Sequence, residues 1–348
     1  MNADFGDFEV DYSVPSEVCY DTELLKKFFE KDTEPVLIFY GGEPMLCIAK
    51  IKQIMESVPA THYVIQTNGL HLNSLEPEYV NRYSAIFVSL DGNERLTDFY
   101  RGKGVYRRVI KNIKLIKKNG FQGELIARMT VMEETDIYES VRWLLDNPDH
   151  SFSSIHWQLD AGFWKTDFSK RNFAEWVNKN YNPQIRRLVE FWVRVMEREG
   201  RVLRLYPFLG IMNSLLRKEQ SLLRCGSGWT NYSIQTDGRI IPCPVMSGMK
   251  DYYLGNVKDS NPLHLKKIFV EQPCLRCEIY RECGGRCLYG NITKRWSNEA
   301  YSIVCNTVKN LVELLRAVVP RVERLIADGR VRLSDFEHMK YNSCEIIP

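Results

Sequence analysis

At 348 residues, 44% of them hydrophobic, the chain can bury a large core, in one large domain or in one domain with a smaller module. Its formal charge of +3 is close to neutral for this size and gives no evidence for a nucleic-acid partner. No run of about 18 uncharged apolar residues offers a membrane span, and the acidic start MNADFGDFEVDYSV has no basic-then-apolar leader pattern; the expected location is the cytoplasm.

From about residue 34 the pattern alternates. Residues 36–40 read as a strand closed by Gly41-Gly42, with a helical stretch following through Ser57. Residues 63–66 form a second apolar run that enters Thr67-Asn68-Gly69, and after a short helix residues 85–90 form a third, closed by Asp91-Gly92. A helix is predicted over 105–118, a strand over 125–131, a helix over 136–146 and a strand over 154–159. Strands alternating with helices imply parallel βαβ units. Residues 160–182 interrupt the alternation with an aromatic-rich insertion, either a lid or substrate loop or a segment packed on a helix. Residues 183–199 then place Ile185, Leu188, Val189, Trp192, Val193 and Met196 on one helical face, and 203–206 reads as one more strand. Past 220, glycine, proline and cysteine replace long periodic elements. The expected division is 1–220, 221–310, and a helix and tail over 311–348, the amphipathic helix covering 306–328 with Leu311, Leu314, Leu315, Val318 and Val319 on its apolar side.

Ten cysteines are many for a chain in a reducing compartment, where clustered thiols more often bind metal than form disulfides. Cys19, Cys47 and Cys344 are scattered: Cys19 as a lone thiol, Cys47 as a small buried helix residue, Cys344 as a spare thiol in the tail. The other seven lie between 225 and 305. Cys274-x2-Cys277-x5-Cys283-x3-Cys287 is followed by seventeen residues and Cys305, and upstream stand Cys225 and Gly238-x4-Cys243. Short loops bring thiolates together at little closure cost, and soft thiolates select iron–sulfur clusters, zinc or copper(I). A four-iron cluster takes four ligands, so seven cysteines suit two clusters, one fully ligated and one with three cysteines. A tetrahedral zinc on Cys274, Cys277, Cys283 and Cys287 meets the same spacing equally well.

The rest of the chain separates these options. Tyr40-Gly41-Gly42-Glu43-Pro44, Gln66-Thr67-Asn68-Gly69 and Val88-Ser89-Leu90-Asp91-Gly92 each follow a predicted strand, and Arg101-Gly102-Lys103-Gly104-Val105-Tyr106 precedes a helix. With the seven-cysteine module, this series resembles radical S-adenosylmethionine enzymes of the SPASM subgroup, which modify peptides and proteins. The resemblance covers about residues 34–310. It implies an α/β fold: a partial (β/α)6 TIM-like barrel, here without its first strand, carrying a C-terminal cysteine-rich cluster-binding domain, with the site at the C-terminal ends of the strands.

The resemblance also implies roles. Gly41, Gly42, Glu43 and Pro44 would bind the methionyl amino group of S-adenosylmethionine, the glycines allowing close approach, Glu43 supplying an anionic acceptor and Pro44 stiffening the turn. Thr67 and Asn68 would line the pocket, Ser89 and Asp91 would reach the ribose or shape their turn, and Arg128 would pair with the methionyl carboxylate. Ordinary strand-end turn chemistry is the competing account of these residues. Cys274, Cys277, Cys283 and Cys305 would hold one auxiliary [4Fe-4S] cluster, and Cys225, Cys243 and Cys287 the other. The sulfatase-maturing branch has a further cysteine a few residues after the first; here Cys225-Gly226-Ser227-Gly228-Trp229-Thr230-Asn231 has none, so an open iron site, for a substrate thiolate or another ligand, is expected. That branch also places an acidic residue after the Gly-x4-Cys cysteine; Pro244 at that place argues against formylglycine formation.

The motif that defines the family, C-x3-C-x2-C on the loop after the first barrel strand, does not occur in this sequence, where only Cys19 and Cys47 precede residue 200. Two accounts compete: a chain truncated at its N-terminus, or a protein that has lost radical chemistry. The intact pocket motifs favour the first. The expected function is hydrogen abstraction from a peptide or protein by a 5′-deoxyadenosyl radical, with an external electron donor, the chain as written being inactive. The alternatives are a non-catalytic iron–sulfur electron carrier or peptide-binding protein, and a zinc-stabilised structural module. Asp160, just past a strand end, is the one weak candidate for acid–base work.

Overall fold

The structure is a computed structural model that describes residues 8–148, 152–162, 165–294, 296–342 and 347–348. Helix α1 (Thr22–Phe29) comes first, capped by the Asp21 carboxylate accepting from the Glu23 N–H. Then follow β1 (Val36–Phe39), α2 (Ile48–Ser57), β2 (His62–Thr67), α3 (Pro77–Val80), β3 (Tyr83–Ser89), α4 (Glu94–Arg101), α5 (Val105–Lys118), β4 (Glu124–Val131), α6 (Ile137–Asp146) and β5 (Ser154–Leu159). The five strands make one parallel sheet in chain order. Each crossover carries at least one helix, as parallel connections require. The α/β architecture expected from the alternation is present, as an open sheet. Among the described residues β1 is its edge and no strand precedes it.

The sheet's two faces differ. Alternate residues such as Phe39, Ile65, Val88, Ala127 and Trp157 enter the large core beneath the helices. The opposite face has a small apolar floor of Val64, Ala85, Phe87, Ile126 and Tyr206. Two residues further along the strands, the same face carries half-buried Gln66, Ser89, Arg128 and Gln158. The inner face therefore becomes polar toward the C-terminal strand ends.

Two expected elements need correction, and the insertion at 160–182, left open in the sequence, takes a definite form. Residues 203–206 make only a single parallel bridge, Ile155 with Leu205. Tyr206 already opens α10 (Tyr206–Arg217), because Pro207 in the first turn has no N–H to give a strand and a φ suited to a helix start. The insertion at 160–182 contains, in its described part, α7 (Lys165–Phe168), α8 (Phe173–Trp176) and a π-helical turn, Val177–Tyr181, leading into α9 (Asn182–Glu199). The last long helix begins well before 306. After α11 (Tyr280–Cys283) and α12 (Leu288–Thr293), α13 runs from Asn298 to Ala327, capped by Ser297 accepting from the Ala300 N–H at 3.1 Å. This helix packs on α9 and α10. It crosses residue 310, where a domain boundary was expected, and it carries Cys305.

The cysteine-rich region contains a small antiparallel sheet, β6 (Ser233–Ile234), β7 (Arg239–Ile241) and β8 (Gly255–Asn256). The N-terminal segment lies along it: Val10 bridges Met249, the Cys19 N–H donates to Thr236 O at 2.8 Å, and Arg239 pairs with Asp11 at 2.6 Å. Cys344 lies outside the described residues. Cys47 is exposed rather than buried, because it stands at the end of the 3-10 turn Pro44–Cys47, before α2 turns its apolar side inward.

Hydrogen bonds from Ser13, and then from Arg239, hold the Asp11 carboxyl well below the usual carboxylate range. A depressed carboxyl stabilises the docked segment fully above the ordinary aspartate value of about 4, and that stabilisation disappears as pH falls through the folded-state value. The Asp11 amide, which donates to Gly248 O at 2.7 Å, should keep its hydrogen-exchange protection from neutral pH down to about 4 and lose it in stronger acid before the amides of β3 do. In Asp11→Asn the protection should be weaker and without that acid step; an identical step in the variant would contradict the assignment.

Candidate cofactor pocket and metal centre

The three strand-end motifs meet at one edge of the sheet. Glu43 ties the first two together. Its Oε1 accepts from the Met45 N–H at 3.0 Å, capping the turn that Pro44 opens, and from the Thr67 hydroxyl at 2.7 Å. Its Oε2 accepts from the Asn68 N–H at 2.7 Å. Thr67 Oγ1 in turn accepts from the Gly69 N–H, and Asn68 Oδ1 from the Leu70 N–H. The loop after β1 is thus held against the loop after β2 by one carboxylate. Gly69, with φ +78°, sits so close to Val88 that a Cβ would lie 2.9 Å from its Cγ1. Gly41 and Gly42 are different: neither has a positive φ, and a Cβ on either would meet nothing within 4 Å. Nothing inside the chain demands glycine there, so the space beside them is available to another molecule.

The motif after β3 is fixed by an ion pair. Asp91 is fully buried, and Arg101 grips it through Nε at 2.5 Å and Nη2 at 2.7 Å. Asp91 Oδ1 also accepts from the Thr130 N–H of β4, while its own N–H meets Thr97 Oγ1. Of the two roles open to Asp91, the geometry shows it shaping its turn. Ser89 and Arg128 are register partners on β3 and β4. Arg128 donates from Nη2 to Gln158 Oε1 at 2.9 Å, and its Nε is buried with no hydrogen-bond partner. A guanidinium cannot shed its charge, and a buried donor left unmade is costly. An anion beside Arg128 would satisfy it. Asp160 pairs with Arg171, which also grips Glu133 through two bonds of 2.7 and 2.8 Å. This places Asp160 in a half-buried ion network.

The cysteines fall into two groups. Cys274, Cys277, Cys283, Cys287 and Cys305 line one cavity, together with Arg286, Asn291 and Tyr301. Cys274 Sγ meets the Tyr301 hydroxyl at 3.1 Å and accepts from Asn291 Nδ2 at 3.4 Å. Burial, then the neighbouring Cys274 and Cys283, push the Cys305 thiol up to about 12. Burial pushes Cys283 up to about 11. Cys243 is pushed up to about 12, by burial and then by Cys287 and Cys225. Cys305 thus stands near Cys274, Cys283 and Cys277, and Cys243 near Cys287 and Cys225, while Cys287 also lines the cavity of the first set. The positions follow from local structure: Cys287 caps α12 with Sγ facing the Gly290 N–H, left-handed Gly284 and Gly285 turn the chain between Cys283 and Cys287, and Gly238 turns β6 into β7 ahead of Cys243. As they stand, no three His, Cys, Asp or Glu side chains among the described residues converge tightly enough for a single ion. One zinc would draw its sulfurs to about 2.3 Å of a point, whereas a four-iron cluster spreads its thiolates around a larger body. Soft donors, Cys225 and Cys283 buried and the other five half-buried, fit iron–sulfur clusters, whose binding displaces the thiol protons.

Arg101 opens the motif that precedes α5, a cation ten residues after an acidic turn, although the sequence assigns it no partner. Gln158, Tyr301 and Asn291 left no local signal.

No protein-family model matches the chain. In sequence it is similar to the cysteine-type anaerobic sulfatase-maturating enzyme of Clostridium perfringens, 21% identical over 329 residues that cover 87% of this chain and 87% of that one. In fold it is similar to native anSMEcpe with bound AdoMet and Cp18Cys peptide, with TM-score 0.66, 18% identity, and coverage of 87% of this chain and 91% of that one. It is also similar to Streptococcus suis SuiB bound to precursor peptide SuiA, with TM-score 0.52, 15% identity, and coverage of 83% and 72%. The resemblance to radical S-adenosylmethionine enzymes with a SPASM domain thus extends over most of the chain, in sequence and in fold.

The Glu43 brace predicts a measurable cost. Glu43→Gln keeps the shape but removes the charge and sets an amide donor against the Asn68 N–H or the Thr67 hydroxyl. A loss of about 2 kcal/mol is expected, read as a lower urea midpoint at unchanged slope. An unaltered midpoint would show that the carboxylate does not hold the two loops.

Proposed function

We propose that this chain serves peptide or protein modification by radical S-adenosylmethionine chemistry, with S-adenosylmethionine at the C-terminal ends of β1–β4 and two auxiliary [4Fe-4S] clusters within residues 225–305. The observation that carries this reading is the gathering of Cys274, Cys277, Cys283, Cys287 and Cys305 around one cavity, with Cys225 and Cys243 packed together close by. The strand-end pocket supports it. Arg128 supplies an unmet donor for the methionyl carboxylate. Gly41 and Gly42 leave room for the methionyl amino end. Glu43 already accepts three hydrogen bonds, and a carboxylate has about four acceptor positions, so one remains for an ammonium. Ser89, beside Arg128, is placed for a ribose hydroxyl. Asp91, locked to Arg101, holds the turn that presents Ser89.

In such enzymes a reduced cluster supplies the electron that cleaves S-adenosylmethionine, and the resulting 5′-deoxyadenosyl radical takes a hydrogen from the substrate. No three cysteines of this sequence have the C-x3-C-x2-C spacing, so the residues of this chain provide cofactor positioning and auxiliary clusters without that initiating set. One observation favours a second reading, an iron–sulfur protein that binds a peptide or carries electrons without turnover: the same missing spacing. A cytoplasmic setting with a separate electron donor belongs to the proposal.

Anaerobically purified or reconstituted protein should carry about eight irons with matching sulfide; stoichiometric zinc without iron would sink the reading. With S-adenosylmethionine and dithionite, this chain should release no 5′-deoxyadenosine by chromatography, and turnover would refute the assignment of its missing step. Equilibrium dialysis should still detect S-adenosylmethionine binding, with Arg128→Ala weakening it about tenfold or more, as loss of a charge-assisted contact predicts. Equal affinity in the variant would remove Arg128 from the pocket.

A further inference from the structure

Resting on the reading that Cys274, Cys277, Cys283 and Cys305 hold one cluster, we propose that Arg286 is that cluster's charge partner, its guanidinium donating to cluster sulfur and favouring the reduced state. Arg286 lines the same cavity as these four thiols. Its Nε is buried with no hydrogen-bond partner, and among the described residues no carboxylate pairs with it. Arginine keeps its charge at any ordinary pH, so this donor calls for an acceptor.

The other polar groups of the lining are already engaged. Asn291 accepts from the Glu271 N–H at 2.6 Å and donates to the Glu271 carbonyl at 3.1 Å, and its Nδ2 also donates to Cys274 Sγ. The Tyr301 hydroxyl meets Cys274 Sγ at 3.1 Å. Lys309, the other cation of the lining, pairs with Glu278 at 2.7 Å. What is left to accept from Arg286 is sulfur.

The backbone supports the same assignment. Arg286 has φ +43°, in the left-handed region that a residue other than glycine enters at a cost. Gly284 and Gly285 before it are also left-handed, and there glycine is required: a Cβ on Gly284 would overlap the Leu222 carbonyl, and one on Gly285 would lie 2.7 Å from Val270 Cγ2. Arg286 is thus the position of this turn that keeps a long side chain where glycine would sit more easily. The Trp296 ring holds the guanidinium, its centroid 5.6 Å from Cζ, and leaves Nε without an acceptor.

A thiolate-ligated four-iron cluster is an anion, and more so once reduced. Net charge and hydrogen bonds to its sulfurs set its potential. Reduction adds one electron and moves no proton, so a fixed cation beside the cluster favours the reduced form.

The test uses the full chain, reconstituted anaerobically and titrated with dithionite and redox mediators while electron paramagnetic resonance is recorded. Arg286→Gln keeps an amide donor and removes the charge. At an unchanged iron count it should lower the midpoint of one cluster by about 59 mV or more, a tenfold bias toward the oxidised form, and move the other less. Arg286→Lys, which keeps the charge, should shift that midpoint less than the glutamine variant does. Equal midpoints in wild type and Arg286→Gln overturn the proposal. So does a shift of the same size in both clusters, which reports general loosening, or a lysine variant displaced as far as the glutamine one. If Arg286→Gln takes up little iron, Arg286→Lys must restore the count; a lysine variant that loads no better also overturns it. Wild type that takes no iron would instead fail the underlying cluster reading, and the proposal with it.

Discussion

Everything at the candidate site depends on five strands running parallel and in register. In such a sheet every C-terminal end lies on one edge, so loops distant in the chain become neighbours. That is how Glu43 reaches Thr67 and Asn68, and how Asp91 reaches the Thr130 N–H. The arrangement also divides the faces. Helices dry one of them, and apolar residues follow on that side without interruption. The other changes from an apolar floor to Ser89, Arg128 and Gln158 within two residues along each strand.

Two carboxylates of similar appearance in the sequence do different work at this edge. Asp91 is sealed by Arg101, so its charge is neutralised within the protein. Breaking such a pair leaves an uncompensated buried charge, which is why it rigidifies its turn. Glu43 accepts only neutral donors from the chain, and among the described residues no cation pairs with it. Arg128 is the complementary case, a cation whose protein partner is a neutral amide. An unbalanced anion and an unbalanced cation on one polar edge suit a zwitterionic ligand.

Much of this was legible beforehand, for local reasons. The strand at 154–159 and the helix at 105–118 match β5 and α5 in extent, because apolar periodicity and turn residues bound them. The cysteine spacing likewise anticipated that Cys274, Cys277, Cys283, Cys287 and Cys305 would gather at one place. What was not legible is non-local. The docking of residues 10–19 on the cysteine-rich sheet joins positions more than two hundred apart, and hydrogen bonds of that kind leave no pattern in a window of sequence. Leu203 to Tyr206 alternates like a strand, yet Pro207 turns it into a helix start. Cys47 looked like a core residue from its apolar neighbours, but a single 3-10 turn rotated it outward.

Helix α13 has 30 residues, about 45 Å of rigid rod. Cys305 stands in its second turn, beside the other thiols, while Leu311, Leu315, Val318 and Val322 further along lie in the core with α9 and α10. One body therefore belongs both to the cavity lined by thiols and to the packing of the larger unit. Thermodynamic linkage makes that traffic two-way: whatever binds at Cys305 restricts how the rod sits in the core, and whatever repacks the core alters affinity at the thiol. The cysteine-rich region is thus geared to the helices that back the sheet rather than appended to them, and a ligand taken at one end of the rod is a mechanical event at the other.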